Sequence, residues 1–108
     1  MFRADFHVHS EYSMDCSTTL EQIIQACRKK DLNCIAIADH GAIEGALKLK
    51  NIAPFYVIVA EEVLTTDGGE IMGMFLQELV PSGLSLEESI RRIKAQGGLL
   101  LLPNWLCF

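Results

Sequence analysis

A chain of 108 residues, half of them hydrophobic, holds one domain with one modest core and does not belong among disordered sequences. Its net charge of −5 argues against non-specific nucleic-acid binding, which needs clustered Lys and Arg to neutralise phosphates. The N-terminus lacks the basic start and long apolar stretch of a signal peptide, and the longest leucine run, Leu99 to Leu102, is far too short to span a bilayer. None of the cysteines Cys16, Cys27, Cys34 and Cys107 shows C-x-x-C spacing. Free thiols in a reducing compartment, and hence a cytoplasmic protein without membrane contact, are expected.

The first predicted strand runs from about Arg3 to His9 and carries Asp5-Phe6-His7-Val8-His9-Ser10. Strict alternation would put Asp5, His7 and His9 on one face and Phe6 and Val8 on the other. Two imidazoles with a carboxylate two residues upstream can grip a divalent metal, the carboxylate fixing the tautomer of a ligating ring. Thr18 and Glu21 have capping-box spacing, and Leu20, Ile23, Ile24 and Cys27 follow with helical period, ending near Lys30. Cys34 to Ala38 is a continuous apolar run suited to a strand buried on both faces, closed by Asp39-His40. A short helix from about Ala42 to Lys50 comes next.

Phe55 to Glu62 reads as the third strand, Thr65 to Gly69 as a turn and Glu70 to Leu76 as another strand. Ser85 and Glu88 repeat the capping-box spacing ahead of Leu86, Ile90 and Ile93; Gly97-Gly98 stops that helix, and Leu99 to Leu102 begins one more buried strand. Such alternation predicts a parallel α/β sheet or a barrel. Three successive strands then end in His7 and His9, in Asp39 and His40, and in Glu61 and Glu62. That edge is where α/β barrels assemble their sites.

Taken singly, each of these residues has an ordinary structural explanation. Asp39 suits a helix N-cap, Glu61-Glu62 a solvated strand end, and Asp15 a turn. Taken together they supply three His and several carboxylates, a mixed nitrogen and oxygen set suited to Zn, Mn or Fe. Alternation places Glu61 and Glu62 on opposite faces of their strand. No Ser-His-Asp arrangement, cysteine-nucleophile motif or phosphate-cradling Gly-rich loop is present.

Asp5-x-His7-x-His9-Ser10, Ala38-Asp39-His40 and Glu62 before Val63-Leu64-Thr65-Thr66 resemble the first motifs of the polymerase and histidinol phosphatase (PHP) family. Ser13-x-Asp15, Ile43-Glu44-Gly45 and Gly97-Gly98 resemble it too. The likeness runs from Phe2 to about Pro103 and covers the first half of a typical family domain. It implies the N-terminal portion of a distorted (β/α)7 barrel, cut after the fifth strand, with two or three divalent metals at its C-terminal rim. The implied chemistry is metal-assisted hydrolysis of a small phosphorylated metabolite or nucleotide. By the same resemblance His7 and His9 hold the first metal, Asp15 and His40 are further ligands, Glu62 bridges, and Asp39 orients its neighbours. Glu70 lies near where many relatives carry another histidine and is expected to substitute as an oxygen ligand.

Two departures temper that reading. Asn104 stands where a ligating histidine is expected, and the later D-x-H motif is absent. Half a barrel would leave an unpaired apolar strand edge, prone to self-association. The tail Trp105-Leu106-Cys107-Phe108 looks unlike a solvated C-terminus. A truncated piece of a longer phosphoesterase, impaired by itself, is therefore expected. The alternative is a non-catalytic metal-binding or interaction remnant.

Overall fold

Eight elements follow one another along the computed structural model of the chain, which describes residues 2–101. They are β1 (Ala4–Val8), α1 (Leu20–Lys30), β2 (Cys34–His40), α2 (Glu44–Ile52), β3 (Tyr56–Leu64), β4 (Glu70–Met74), α3 (Leu86–Ala95) and β5 (Leu99–Leu101). The strands form one sheet in sequential order. β1, β2 and β3 are parallel, whereas β4 pairs antiparallel with β3 and β5 antiparallel with β4. The expectation of a parallel sheet thus holds for the first three strands and fails at β4. A parallel return needs a crossover of about a dozen residues or more, and the connection after Leu64 is far shorter. Thr65 closes it as a hairpin, its N–H and Oγ1 both donating to the Gly69 carbonyl at 3.0 and 2.7 Å. The result is a mixed α/β fold with a sheet curled into a half-barrel.

Side-chain alternation gives the sheet two unlike faces. The helices bury one face, where Ile23, Ile24, Leu49 and Ile93 pack on Ile35, Ile37, Val57 and Val59. The other face carries a smaller cluster of Ala36, Ala38, Ala60, Met72 and Met74. β2 feeds both clusters, so its unbroken apolar run is buried on both sides as expected. Among the described residues, no helix is long and apolar enough to cross a membrane.

Local signals account for most boundaries. α1 is capped one residue later than expected: Thr19 accepts from the Gln22 N–H, and the Gln22 side chain accepts from the Thr19 N–H. Thr18/Glu21 and Thr19/Gln22 fit the capping pattern equally, so the spacing alone does not choose. Asp31, in the left-handed conformation, ends α1. Ser85 caps α3, but the Glu88 side chain turns to Arg91 and Arg92 instead of completing a capping box. β4 stops at Met74 because Phe75 has φ of +61°. Cys27 and Cys34 are buried, and both, with Cys16, are free. Asn104, Cys107 and the tail after Leu101 lie outside the described residues.

Candidate metal centre

The site begins with an irregularity in β1. Asp5 pairs with Ile35 and Val8 with Ile37, so the register shifts between them. Ile35 and Ile37 both belong to the helix-side cluster, which puts Asp5 on that side with Val8, beside Cys27 and Lys30. This corrects the strict alternation read from the sequence. A bulge inserts one residue and re-aims the side chains beyond it. The Asp5 carboxylate therefore bonds neither imidazole ring. Its Oδ1 instead accepts from the His7 N–H at 3.1 Å, holding the bulged backbone that turns His7 and His9 to the open face.

On that face the predicted residues converge. His7 Nε2 and His9 Nε2 lie 3.1 Å apart. Glu62 Oε1 meets both, at 2.7 Å from His9 Nε2 and in contact with His7 Nε2. Asp15 Oδ1 is 3.5 Å from His9 Nδ1, and its Oδ2 is 3.1 Å from His40 Nε2. His40 Nδ1 in turn lies 2.7 Å from Glu70 Oε2 and 4.0 Å from Glu62 Oε2. Three overlapping triads result: His7/His9/Glu62, His9/Asp15/His40 and His40/Glu62/Glu70.

Register explains why these residues meet. His40 stands opposite Glu62 across the parallel β2–β3 pair, and Leu64 opposite Glu70 across the hairpin. Glu70 is the first residue of β4 and reaches the rim only because β4 runs antiparallel. In a parallel strand it would lie at the other end of the sheet.

A layer of hydroxyls and a buried carboxylate supports the cluster. Asp39 is fully buried and accepts from the Ser10 N–H at 2.6 Å and from Ser10 Oγ–H at 2.5 Å. It touches none of the imidazoles in these triads and anchors the loop after β1. Ser13, also buried, donates to Asp15 Oδ1 at 2.7 Å and accepts from the His40 N–H at 3.1 Å. One hydroxyl thus ties two elements of the cluster together. Gly45 leaves room for this packing, since an added Cβ would press on Ser10 Oγ and Asp39 Oδ2. The sequence motifs include Ser10 and Ser13 but assign neither a role. The two-residue step from Ser13 to Asp15, typical of local side-chain turns, is the signal that points to one.

The electrostatics keep the donors ready. Burial pushes the Glu62 carboxyl up, but hydrogen bonds with His7 and His9 and the charge of His7 and His40 hold it below its ordinary value. The Ser13 hydrogen bond is the main cause that holds Asp15 below its own, against an opposing effect of burial. Both are therefore anionic at neutral pH, as metal binding requires. Glu61, next in the chain, faces the other way. It is fully buried, accepts from the Val80 N–H at 2.9 Å, and burial raises its pKa to about 7. Between the two glutamates, geometry selects Glu62 for the cluster.

The donor set suits a divalent ion. Ligand atoms arranged tetrahedrally about Zn at ~2.1 Å would lie about 3.4 Å apart, and the separations here, mostly 2.7 to 4.0 Å, bracket that value. A more voluminous cavity, about 580 Å³, lies elsewhere, at the far end of the strands among Phe2, Asn33, Ala53, Pro54, Phe55 and Tyr56. It contains no imidazole, carboxylate or thiol, so volume and chemistry separate in this molecule.

Comparison with known proteins agrees with this geometry. The family model of the PHP domain matches residues 5–68, which include His7, His9, Asp15, His40 and Glu62. The chain belongs to the PHP domain family. Within it, the chain is 36% identical over 115 residues to the uncharacterized protein MJ1587 of Methanocaldococcus jannaschii, covering 94% of this chain and 67% of that protein. It is 36% identical over 103 residues to the uncharacterized protein MJ0417 of the same organism, spanning 39% of its length. Its fold resembles that of a two-domain protein from Bacteroides vulgatus containing a predicted PHP-like metal-dependent phosphoesterase, with a TM-score of 0.67 at 18% identity. That match covers 92% of this chain and 34% of the other. This PHP chain thus spans only part of the proteins it matches.

Proposed function

We propose that this PHP chain holds a cluster of divalent metal ions, Mn, Fe or Zn, and belongs to an enzyme that hydrolyses phosphoesters. The observation that carries the reading is the convergence of His7, His9, Asp15, His40, Glu62 and Glu70 into triads that share His9, His40 and Glu62. Shared ligands are what adjacent metal ions need. His7, His9 and Glu62 would hold one ion, with Asp15 and His40, then His40, Glu62 and Glu70, serving neighbouring positions. Bound ions of this kind polarise phosphoryl oxygens and lower the pKa of a bound water toward neutrality. The chain's own contribution is placement: Asp5 sets the bulge beneath His7, Asp39 fixes the loop through Ser10, and Ser13 locks Asp15 against β2. A small phosphorylated metabolite or nucleotide is the proposed substrate.

A second reading, a metal-binding or interaction module without turnover, draws on β1 and β5. Each flanks the sheet with one side unpaired among the described residues, which suits pairing with a second copy of the chain. Metal content by mass spectrometry, run with p-nitrophenyl phosphate and added Mn or Zn, separates the two. Two or more metals per chain with turnover, lost on His7→Ala or His9→Ala, supports the hydrolase. Metal without turnover supports the module, and no metal under any condition overturns the hydrolase and leaves only an interaction module.

A further inference from the structure

Beside its ligands the metal cavity, about 370 Å³, is lined by Met14, Gly41, Leu64 and Ser82. That volume lies in the ~300–1,000 Å³ range of small-molecule sites. Met14 is 91% exposed and Leu64 56%. A single exposed apolar side chain carries little meaning. These two, however, stand on separate segments of the cavity that also holds the carboxylates, Met14 next to Asp15 and Leu64 two residues beyond Glu62 on the same face of β3.

Ser82 is brought there by the loop between β4 and α3. Glu61 pins that loop at Val80, the Gly83 N–H donates to the Leu64 carbonyl at 2.9 Å, and the Thr66 N–H donates to the Leu84 carbonyl at 2.9 Å. The segment is thus fastened on both sides of Ser82. Its Oγ reaches to 3.2 Å from where a Cβ on Gly41 would sit, directly after His40. No Lys or Arg belongs to the lining among the described residues. Arg3, Lys48, Arg91 and Arg92 are paired elsewhere, with Asp31, Glu44 and Glu88.

We propose that Met14, Leu64 and Ser82 form the wall that receives the group esterified to phosphate, and that this wall selects an uncharged, apolar group such as an aryl ring over a second anion. The assignment rests on the metal-dependent reading above, since the ions would hold the phosphoryl oxygens. Hydrocarbon on Met14 and Leu64 covers an apolar substituent, and Ser82 offers a neutral hydroxyl to the ester oxygen. With Asp15, Glu62 and Glu70 spent on the ions, a further phosphate on the substituent would find only Met14, Leu64 and Ser82, and no cationic side chain among the described lining residues to pair with it.

The test is calorimetric binding of phenylphosphonate, methylphosphonate and pyrophosphate to the Mn²⁺-loaded chain, with Mn²⁺ stoichiometry measured separately. Phenylphosphonate should bind about tenfold more tightly than methylphosphonate, as burial of the extra apolar area predicts. Pyrophosphate should gain nothing from its second phosphate. The variant Met14→Ser/Leu64→Ser should erase the preference for the ring while keeping the Mn²⁺ stoichiometry, both positions being exposed. Equal affinities, tighter pyrophosphate binding, or a preference that survives the double substitution would overturn the wall. So would a chain that binds Mn²⁺ but no phosphonate, leaving the metal reading intact. A chain that binds no Mn²⁺ would overturn the metal reading and the wall with it.

Discussion

Glu61 and Glu62 are adjacent on β3, yet they enter opposite worlds. Glu61 points into the helix-covered face, among large aliphatic side chains, and its Oε2 has no partner among the described residues. Glu62 points to the open face, where the core is built from alanines and methionines and three imidazoles gather. One face supplies stability through bulky interdigitated side chains. The other keeps small side chains beneath a polar rim. The pair shows how a single strand divides those tasks by its two-residue period.

Substitutions on the two faces should therefore separate stability from metal binding. Ile37→Ala, on the helix face, is expected to cost about 2–5 kcal/mol, read by denaturant unfolding, while the folded fraction keeps its metal stoichiometry. Glu62→Gln on the open face should do the reverse. Affinity for Mn²⁺ or Zn²⁺ should fall beyond the ~100-fold typical of losing an outer partner of a ligand, with little loss of stability in the metal-free chain. If Ile37→Ala alone abolished metal binding, the division between faces would collapse.

Glu61 gives the same comparison a pH dependence. Its folded pKa of about 7 stands above the ordinary 4.5, so between these values the folded chain binds more protons than the unfolded one. The neutral-form contribution is present in full below about pH 4.5 and is lost as pH rises toward 7, on the order of 3 kcal/mol in all. Glu61→Gln should flatten that part of the stability profile, measured by urea unfolding at pH 5 and pH 8. A variant whose stability still fell as steeply would assign the loss to another group. The smallest effect is expected at the α1 cap, where Thr19→Ala should cost about 1 kcal/mol and leave metal affinity unchanged.

Much of this is legible in the chain. Element order comes from periodicity, the double burial of β2 from Ile35-Ala36-Ile37-Ala38, and the opposed faces of Glu61 and Glu62 from strand alternation. The sequence motifs group His7, His9, Asp15, His40, Glu62 and Glu70, and the fold brings them within one cluster. Their spacing along the chain, strand by strand, encodes a common rim. Other features depend on contacts no local pattern contains. The side of β1 taken by Asp5 is set by pairing with β2, where the register shifts, because a bulge is defined only against a partner strand. The roles of Ser10 and Ser13 need Asp39 and His40 brought across from β2. The direction of β4 decides most. Only a hairpin returning at Gly69 sets Glu70 against His40, since antiparallel pairing puts the start of one strand beside the end of the other.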